Sequence, residues 1–522
     1  MLKSTCVLVR ICARIEARSR PSTSIFPTRR FVASTQQDEL HRMQGDYAYM
    51  CKRCEDRARE MEHTDPYGVF VNNEVKLGKL HIFGFDYDHT LATYTPALDE
   101  FIFNEARDWM VRQMRYPDDL LGMNYAADFA IRGLHFDAKR GYLMKVDAFH
   151  NIQLDTVHRG LTPVSYEESL AAFHGNHLPS TSLKQQISPG SGSPASSPSK
   201  RPLMFQLMDF FTIPEFYLLC SIIEFFERGH IGYQPVHIFR DVSSAVARVH
   251  KSGLLGLNIM ANPEKYIRRD PDLPIFLRKL VADGRKLFLI SNSSAAFIDR
   301  GLRFLIGSDW RNLFDVTISG ANKPGFFQHD SNSFRHVDDC GTFKDWEGVK
   351  SLHRGHIYEG GSLQELIKLT QWNAENILYF GDHVYSDLAD AANLEGWTTA
   401  AVIPELEHEI QVNNTTEFRT CSAKLRYLEG LINSYQHVTS LEAKSLLEHW
   451  QAERKELRYK TKVSFNKHFG SIFRSFHNPS YFSRRLTQYA MLYTSKVANL
   501  LQYPLEHVFY PKRTALPHES SW

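Results

Sequence analysis

Two carboxylates stand two residues apart at the end of an apolar run, and this spacing lets them bind one cation together. The run 79–85 has the length and composition of a buried parallel strand, and Asp86 and Asp88 follow it directly. Side chains at this separation leave a strand on the same side, so both acids can face one point beyond the carboxyl end of the sheet. Mg²⁺ with a phosphate oxygen would relieve their repulsion. Taken alone, an Asp-x-Asp pair is more often an exposed acidic turn.

Three further polar elements follow strand-like apolar runs in a fixed order along the chain. They are Ser291 with Asn292, then Lys323, then Asp382 with Asp387. Each is weak alone, because hydroxyl residues and aspartates are common helix caps and a lysine before a proline can be a plain loop residue. Together with the first pair they match what phosphoryl transfer to a carboxylate requires.

In this interpretation the first acid of the pair is the nucleophile and the second is the general acid. Asp86 becomes an aspartyl phosphate, and Asp88 protonates the leaving oxygen and later accepts a proton from water. The predicted cofactor is Mg²⁺, which would screen the nucleophile from the phosphate. Its predicted ligands are Asp86, Asp382 and the backbone carbonyl of Asp88.

The remaining residues of the predicted site act on the phosphoryl group or support those that do. Ser291 would hold a non-transferring oxygen, and Lys323 would neutralise charge while Asp387 steadies it. Supporting roles are also predicted for Thr90 and Asn292. These predictions require the four strand ends to meet at one edge of a sheet.

Two aromatic residues, Phe210 and Phe211, precede a predicted helix and are candidates for stacking on a base, although packing is the commoner role. Thr212 and Glu215 form a capping-box pair at the start of that helix. His89 lies beside the acids, and nothing in the pattern makes it a ligand.

The composition is that of a soluble globular protein with room for two or three domains. The 522 residues are 43% hydrophobic and 23% charged. The net charge of +2 gives no reason to expect a nucleic-acid partner, and no apolar segment is long enough to cross a bilayer. Seven cysteines without paired spacing favour a reducing compartment, and the CxxC of Cys51 and Cys54 has no second pair nearby.

The first 35 residues differ in composition from the rest. They are rich in arginine, serine and threonine and poor in acids, and Arg10, Arg14 and Arg18 recur every four residues along one helical face. This composition is typical of a mitochondrial transit peptide. The alternative is a disordered basic tail on a cytoplasmic protein.

Alternating strand-like and helix-like segments predict an α/β fold with a doubly wound parallel sheet. After Thr90 no sheet pattern returns for roughly 190 residues, far more than a crossover needs, so a separate domain is predicted to be inserted there. The predicted divisions are a transit peptide (1–35), a helix with the first part of the core (36–95), the inserted domain (96–282, with a disordered Ser-Pro-Gly loop at 180–201), the second part of the core (283–435) and a helical C-terminal extension (436–522). The default role of the extension is a brace on the core or a homo-oligomer contact.

The four strand-end elements resemble motifs I to IV of the haloacid dehalogenase-like (HAD-like) superfamily. A closer resemblance, to the cytosolic purine 5'-nucleotidase family and its 5'-nucleotidase domain-containing members, covers about residues 40–520. It is carried by Val69-Phe70-Val71-Asn72, the Phe-Gly-Phe-Asp-x-Asp-x-Thr-Leu-Ala stretch ending at Ala92, Ile213-Pro214-Glu215, Lys323-Pro324, Gly381-Asp382-His383 and Leu516-Pro517-His518-Glu519. The resemblance implies a HAD-like Rossmannoid core, a cap domain that closes over the site, and a Mg²⁺-dependent hydrolase of nucleoside monophosphates.

One part of the chain departs from the purine nucleotidases. Their helix matching 241–250 carries an Arg and an Asp that contact the nucleotide, and a Lys follows it. The matching positions here are Ser243, Ala247 and Gly256, whereas His250 is kept. Losing a cation and an anion that bind the substrate would lower affinity or selectivity.

Two functions therefore remain open. The first is a working phosphohydrolase, a nucleoside 5'-monophosphatase acting on a small-molecule phosphomonoester, which the complete set of strand-end residues favours. The alternative is a catalytically weak, nucleotidase-like binding or scaffold protein that keeps the Mg²⁺ site for structure. The altered cap and the long helical extension favour this second function.

Overall fold

The computed structural model of the chain describes residues 36–179, 183, 203–329, 332–338, 341–344, 346–514 and 519. The predicted transit peptide and all of the predicted disordered loop except Leu183 lie outside the described residues, as does most of the motif at 516–519. Mitochondrial targeting and the disorder of that loop therefore stay predictions. In the described residues no helix combines the length and the apolar character that a bilayer crossing requires.

The strands of the described chain are mostly short. In chain order they are β1 (Val69–Val71), β2 (Val75–Lys76), β3 (Ile82–Phe85), β4 (Thr93–Tyr94), β5 (His135–Asp137), β6 (Tyr142–Met144), β7 (His158–Arg159), β8 (Thr162–Pro163), β9 (Met204–Gln206), β10 (Ile267–Arg268), β11 (Lys286–Ile290), β12 (Val316–Ser319), β13 (Phe334–Val337), β14 (Ile357–Gly360), β15 (Ile377–Gly381), β16 (Thr398–Val402), β17 (Arg474–Ser475), β18 (Asn478–Pro479), β19 (Leu492–Thr494) and β20 (Val508–Phe509).

The α-helices range from single turns to long rods. In chain order they are α1 (Gln36–Glu60), α2 (Pro96–Met114), α3 (Tyr166–Phe173), α4 (Thr212–Arg228), α5 (Pro235–Lys251), α6 (Leu254–Ala261), α7 (Pro263–Tyr266), α8 (Asp272–Ala282), α9 (Ala295–Leu305), α10 (Gly325–Gln328), α11 (Leu363–Thr370), α12 (Asp390–Glu395), α13 (Glu405–Asn414), α14 (Thr416–Tyr435), α15 (Leu441–Val463) and α16 (Tyr481–Tyr489). A π-helical turn over Val384–Ala389 precedes α12.

Nine strands form one mostly parallel sheet in the order β1-β19-β16-β15-β3-β11-β12-β14-β13. Neighbours are parallel except at the two edges, where β1 and β13 run antiparallel to β19 and β14. Helices connect the parallel strands, as parallel pairing requires. This arrangement confirms the predicted α/β fold with a doubly wound parallel sheet.

The central strand of this sheet is β3, which lies between β15 and β11 and has four buried residues. Gly84 in β3 leaves room for a ring of its neighbour, because a Cβ atom there would lie 2.1 Å from Cζ of Phe288. The chain passes from β3 to β11 and β12 on one side, and later to β15 and β16 on the other. The carboxyl ends of these strands therefore frame a switch point, where α/β sheets bind ligands.

Between β4 and β10 the chain leaves the sheet and forms a second group of elements, here called the insert. Strands β5 to β9 make a five-stranded antiparallel sheet, and helices α2, α4 and α5 pack against one another. The segments by which the chain enters and leaves the insert lie side by side, because β4 pairs with β10 and Tyr94 lies opposite Ile267. The predicted bounds of 96–282 stay a prediction; α8, which lies inside them, packs against β11 of the core.

The chain after Ser440 is only partly helical. Helix α15 lies where the sequence pattern predicts one, and it packs with α1 and α14 around the buried Trp450. However, β19 enters the central sheet between β1 and β16. Its three residues are too few to show an alternating pattern, so the prediction of a helical extension misses this strand. Oligomer formation through the extension stays a prediction.

Candidate active site

The acids that follow β3 and β15 lie together at the carboxyl edge of the sheet. One carboxylate oxygen from each of Asp86, Asp382 and Asp387 lies within 4.8 Å of the other two, and all three residues are buried. The first follows β3 and the other two follow β15, which pairs in parallel with it. The sheet therefore brings acids from distant parts of the chain to one point. We call these three residues the acid cluster.

Lys323 reaches the acid cluster from the loop after β12. Its Nζ lies 2.8 Å from Oδ1 of Asp86 and 2.7 Å from Oδ1 of Asp387, and it donates a hydrogen bond of 3.3 Å to the hydroxyl of Tyr379. The side chain of Asn292 accepts from the backbone N–H of the lysine at 2.6 Å and donates to its C=O at 3.1 Å. The structure thus brings the predicted lysine and its predicted partner together, and Asn292 holds the lysine backbone.

Asp88 is held by two hydroxyl groups that the sequence analysis missed. Its Oδ1 accepts from the hydroxyl of Tyr94 and its Oδ2 from Oγ of Ser293, each at 2.6 Å. Ser291 is buried, and its Oγ accepts from the backbone N–H of Ser293 at 3.1 Å. Thr90 is also buried, and within the described residues its Oγ1 has no hydrogen-bond partner. The signal for Ser293 was its place two residues after Ser291, whereas the spacing of Tyr94, six residues after Asp88, gave no signal.

Burial shifts the pKa values of the clustered acids upward. Burial raises the pKa of Asp86 to about 8, and Lys323 opposes this shift. Burial also raises the pKa of Asp382 well above its usual value, and the carboxylate of Asp387 adds to the effect. Burial acts to lower the pKa of Lys323, but the carboxylates of Asp387 and Asp86 outweigh it and hold that pKa well above its usual range. The cluster thus holds more potential negative charge than one lysine offsets.

The donor set of the acid cluster fits a divalent cation of the Mg²⁺ type. Such a hard ion prefers oxygen ligands, which the three carboxylates supply. A divalent charge would also offset buried carboxylates, which are costly without compensation. Two of the predicted ligands, Asp86 and Asp382, are in the cluster with Asp387, whereas the side chain of Asp88 is engaged by its two hydroxyl partners. Ligation through the backbone carbonyl of Asp88 stays a prediction.

Aromatic side chains of the insert lie against the turn that carries the first two acids. The ring of His89 stacks on Phe210 with centroids 4.4 Å apart and meets Phe211 edge to face at 4.8 Å. Phe211 also contacts His250 edge to face at 5.2 Å. Burial lowers the pKa of His89 to about 3, and Arg132 adds to the shift, so the ring is neutral at pH 7. We call His89, Phe210, Phe211 and His250 the aromatic wall.

The predicted capping box at the start of α4 does not form. Within the described residues the N-cap residue, Phe211, makes no side-chain capping bond; Oγ1 of Thr212 donates to the backbone C=O of Asp209 at 2.6 Å, and the Asp209 side chain accepts from the backbone N–H of Phe211 at 2.9 Å. Glu215 is buried, and its carboxylate accepts from Oγ of Ser243 on α5 at 2.7 Å. The physical reason is that a buried carboxylate needs a donor, and the neighbouring helix supplies one. Ser243 therefore serves the packing of the insert.

Buried acids, a lysine and hydroxyl groups at the switch point of a parallel sheet make a site suited to phosphoryl chemistry. Together with the similarity of the chain to known proteins, these residues define a phosphohydrolase. The sequence model of the 5'-nucleotidase family matches residues 69–521. The chain belongs to this family, and it is a 5'-nucleotidase-like phosphomonoester hydrolase.

Known proteins share most of the length of this chain. The human 5'-nucleotidase domain-containing protein 2 is 42% identical over 457 residues, which cover 87% of this chain and 86% of that protein. A 5'-nucleotidase domain-containing protein of Dictyostelium discoideum is 35% identical over 462 residues, which cover 87% of this chain and 75% of that protein. These relatives confirm the resemblance found in the motifs. A predicted phosphoglycolate phosphatase from Haemophilus somnus covers 62% of this chain and 85% of its own at 13% identity and a TM-score of 0.26, a likeness too slight to carry an argument.

Proposed function

We propose that this chain is a Mg²⁺-dependent 5'-nucleotidase that hydrolyses nucleoside monophosphates through an aspartyl-phosphate intermediate. The observation that carries the proposal is the position of Lys323, whose Nζ lies 2.8 Å from Asp86 and 2.7 Å from Asp387 beside the acid cluster. A buried ammonium group at that point can neutralise a phosphoryl group that approaches the nucleophile. When bound, Mg²⁺ supplies charge neutralisation between the carboxylates and the phosphate.

The reaction has two steps that share the same residues. First, a carboxylate oxygen of Asp86 attacks phosphorus, the bond from phosphorus to the 5'-oxygen breaks, and Asp88 gives that oxygen a proton. Second, Asp88 takes a proton from a water molecule, whose oxygen attacks phosphorus and releases inorganic phosphate and the free carboxylate. The hydroxyls of Tyr94 and Ser293, each 2.6 Å from Asp88, orient the carboxyl group for both transfers. Ser291 donates to one of the three non-bridging oxygens of the phosphoryl group.

The nucleoside part of the substrate lies against the aromatic wall in this proposal. The ring that can stack on a base is that of Phe211, because His89 and Arg132 already cover the faces of Phe210. The positions that supply charged contacts in the purine nucleotidases are Ser243, Ala247 and Gly256 here, and the first two are buried. Recognition of the base therefore rests on stacking more than on charge, which lowers selectivity among bases.

A phosphatase assay on the purified protein tests the proposal, using a panel of nucleoside 5'-monophosphates with and without Mg²⁺. The wild type should release phosphate only with the divalent ion. Asp86→Asn removes the nucleophile and should lower turnover by about 10³-fold or more. Asp309→Asn, which alters an exposed ion pair with Arg278, is the matched control and should keep full activity.

Two results would contradict the proposal. Turnover that survives Asp86→Asn would remove that residue from its role as nucleophile. A wild type that hydrolyses no phosphomonoester in the presence of Mg²⁺ would favour the alternative function, a nucleotidase-like binding or scaffold protein.

A further inference from the structure

Arg132 is a buried arginine of the insert that none of the proposed chemical steps uses. It lies in the loop before β5 with 1% of its surface exposed, and its guanidinium donates two hydrogen bonds of 2.7 Å to the carboxylate of Glu405. Glu405 is the first residue of α13, which follows β16 in the core. A bidentate pair of this kind is strong and directional. Arg132 thus ties the insert to the core.

The same guanidinium reaches the loop that follows β15. Its Nη1 donates to the backbone C=O of Asp382 at 3.1 Å and lies 4.0 Å from Oδ2 of that residue. Asp382 belongs to the acid cluster. A donor bonded to the backbone of a metal-binding residue fixes the loop without using up the coordinating oxygens, and such outer contacts usually govern metal affinity.

The flat face of Arg132 lies on the aromatic wall. Its Cζ is 3.8 Å from the ring centroid of Phe210, and His89 stacks on the same ring with a centroid distance of 4.4 Å and an interplanar angle of 20°. One face of a ring cannot hold both groups at these distances, so Phe210 lies between them. His89 follows Asp88 directly in the chain. One guanidinium therefore contacts both the loop of the acid cluster and the aromatic wall.

We propose that Arg132 is a positioning residue that fixes the Asp382 loop and the aromatic wall relative to each other. Mg²⁺ affinity and nucleoside binding then both depend on it. This inference rests on the proposed function of the site. Lysine keeps the positive charge but lacks the planar fork, so it cannot bond both oxygens of Glu405 and the Asp382 carbonyl while it stacks on Phe210. Arg132→Lys therefore removes the directed contacts of the guanidinium while it keeps the positive charge.

Isothermal titration of the full chain with Mg²⁺, in the absence of any substrate, gives the first readout. Arg132→Lys should weaken Mg²⁺ binding by about tenfold, a typical cost of losing a group that orients a metal ligand. Steady-state kinetics at saturating Mg²⁺ give the second readout. The variant should raise KM for a nucleoside monophosphate and leave KM for glycerol phosphate, which has no ring, unchanged.

Arg140→Lys is the matched control. Arg140 is also an arginine of the insert that pairs with a carboxylate, Asp137 at 2.6 Å, and lies over a ring, Phe173 at 5.0 Å. Within the described residues its contacts do not include Asp382 or the aromatic wall. This variant should bind Mg²⁺ and nucleotide as the wild type does.

The outcomes separate this inference from the proposed function. Unchanged Mg²⁺ affinity in Arg132→Lys, in a protein that hydrolyses nucleotides, would overturn the positioning role and leave the function standing. If Arg132→Lys binds Mg²⁺ more weakly than the wild type and the wild type shows no turnover, the positioning role is supported and the proposed function is overturned. A wild type that binds no Mg²⁺ would overturn both, and weaker Mg²⁺ binding with an unchanged nucleotide KM would overturn the link to the wall.

A second variant guards against a folding defect in Arg132→Lys. Glu405→Gln keeps the arginine and weakens one of its two hydrogen bonds to residue 405. This variant should therefore also lower Mg²⁺ affinity, by a smaller factor than Arg132→Lys. Thermal unfolding without Mg²⁺ shows whether each variant is folded. A folded Glu405→Gln protein with wild-type Mg²⁺ affinity would contradict the proposed role of the fork.

Discussion

The core side and the insert side of the candidate site are built by different means. On the core side, charged atoms from strand ends meet at hydrogen-bond distances, such as the 2.7 Å between Lys323 and Asp387. On the insert side, Phe210 and Phe211 pack on the ring of His89 at centroid distances of 4.4 Å and 4.8 Å, and Phe211 meets His250 at 5.2 Å. The core side therefore depends on the direction of individual polar contacts, whereas the insert side depends on shape and contact area.

This difference indicates whether catalysis or substrate selectivity depends on each side. Removing one charged residue from the core side leaves another buried charge without a partner, which strongly destabilises the folded protein. The insert side has the uncharged Ser243 and Ala247 buried on α5, which packs against α2 and α4. We therefore expect chemistry to depend on the core side and selectivity on the insert side, so substitutions should affect either all phosphomonoesters or mainly those with a base.

The largest effect is expected on the core side, from Lys323→Met. The substitution removes the cation beside the phosphoryl group and leaves Asp86 and Asp387 without their shared partner. Turnover should fall by about 10²- to 10³-fold. Steady-state kinetics should show the same loss for a nucleoside monophosphate and for glycerol phosphate. A much larger loss for the nucleotide would contradict the division between the two sides.

A smaller and selective effect is expected on the insert side, from Phe211→Leu. Leucine keeps an apolar side chain but removes the ring that contacts His89 and His250. Loss of one stacking ring should raise KM for nucleoside monophosphates by about tenfold. Kinetics with glycerol phosphate should be unchanged. The control is Phe225→Leu near the other end of the same helix, and an equal rise in KM there would show a general packing defect instead.

The strand ends could be predicted from sequence because their signals are local. An apolar run followed by Asp86, or by Asp382, indicates a buried strand that ends in an acid, and parallel pairing then brings the acids together. Short or remote elements gave no such signal. The strand β19 has three residues, and the fork between Arg132 and Glu405 joins positions 273 residues apart.

The wrong prediction at the start of α4 has a similar cause. Thr212 and Glu215 have the spacing of a capping box, but Glu215 is buried and bonds Ser243 on the next helix. Tertiary burial therefore decided the partner of this carboxylate, and local spacing did not. Contacts between the core and the insert, such as Arg132 with Glu405, escape sequence analysis for the same reason, because they depend on how two distant segments meet.

The stability of the metal-free protein should depend on pH through the buried acids of the site. Burial raises the pKa of Asp86 to about 8, so the folded protein without metal retains a proton that the unfolded chain loses near its ordinary pKa of 3.8. Stability from this group is therefore lost as pH rises toward about 8. On the insert side, burial also raises the pKa of Asp209, to about 7, whereas burial lowers the pKa of His89 to about 3.

Mg²⁺ should counter this loss, because metal binding requires ionised carboxylates and so strengthens as they lose protons. Thermal unfolding should show a larger Mg²⁺-induced rise of Tm at about pH 8.5 than at about pH 6.5. Asp86→Asn should reduce the pH dependence of that rise. A rise that is equal at both pH values would mean that the bound ion does not compete with protons at the acid cluster.

The smallest effect is expected from Ser243→Ala on α5. The substitution removes one hydrogen bond to the buried carboxylate of Glu215 and should lower the free energy of unfolding by about 1–2 kcal/mol. Denaturant unfolding measures this loss, and Ser244→Ala at the exposed neighbouring position is the control. KM for nucleoside monophosphates should stay unchanged, because Ser243 faces the interior of the insert. A raised KM at unchanged stability would instead place Ser243 in the substrate site, and the insert side would then recognise the nucleotide through polar contacts as well as through its rings.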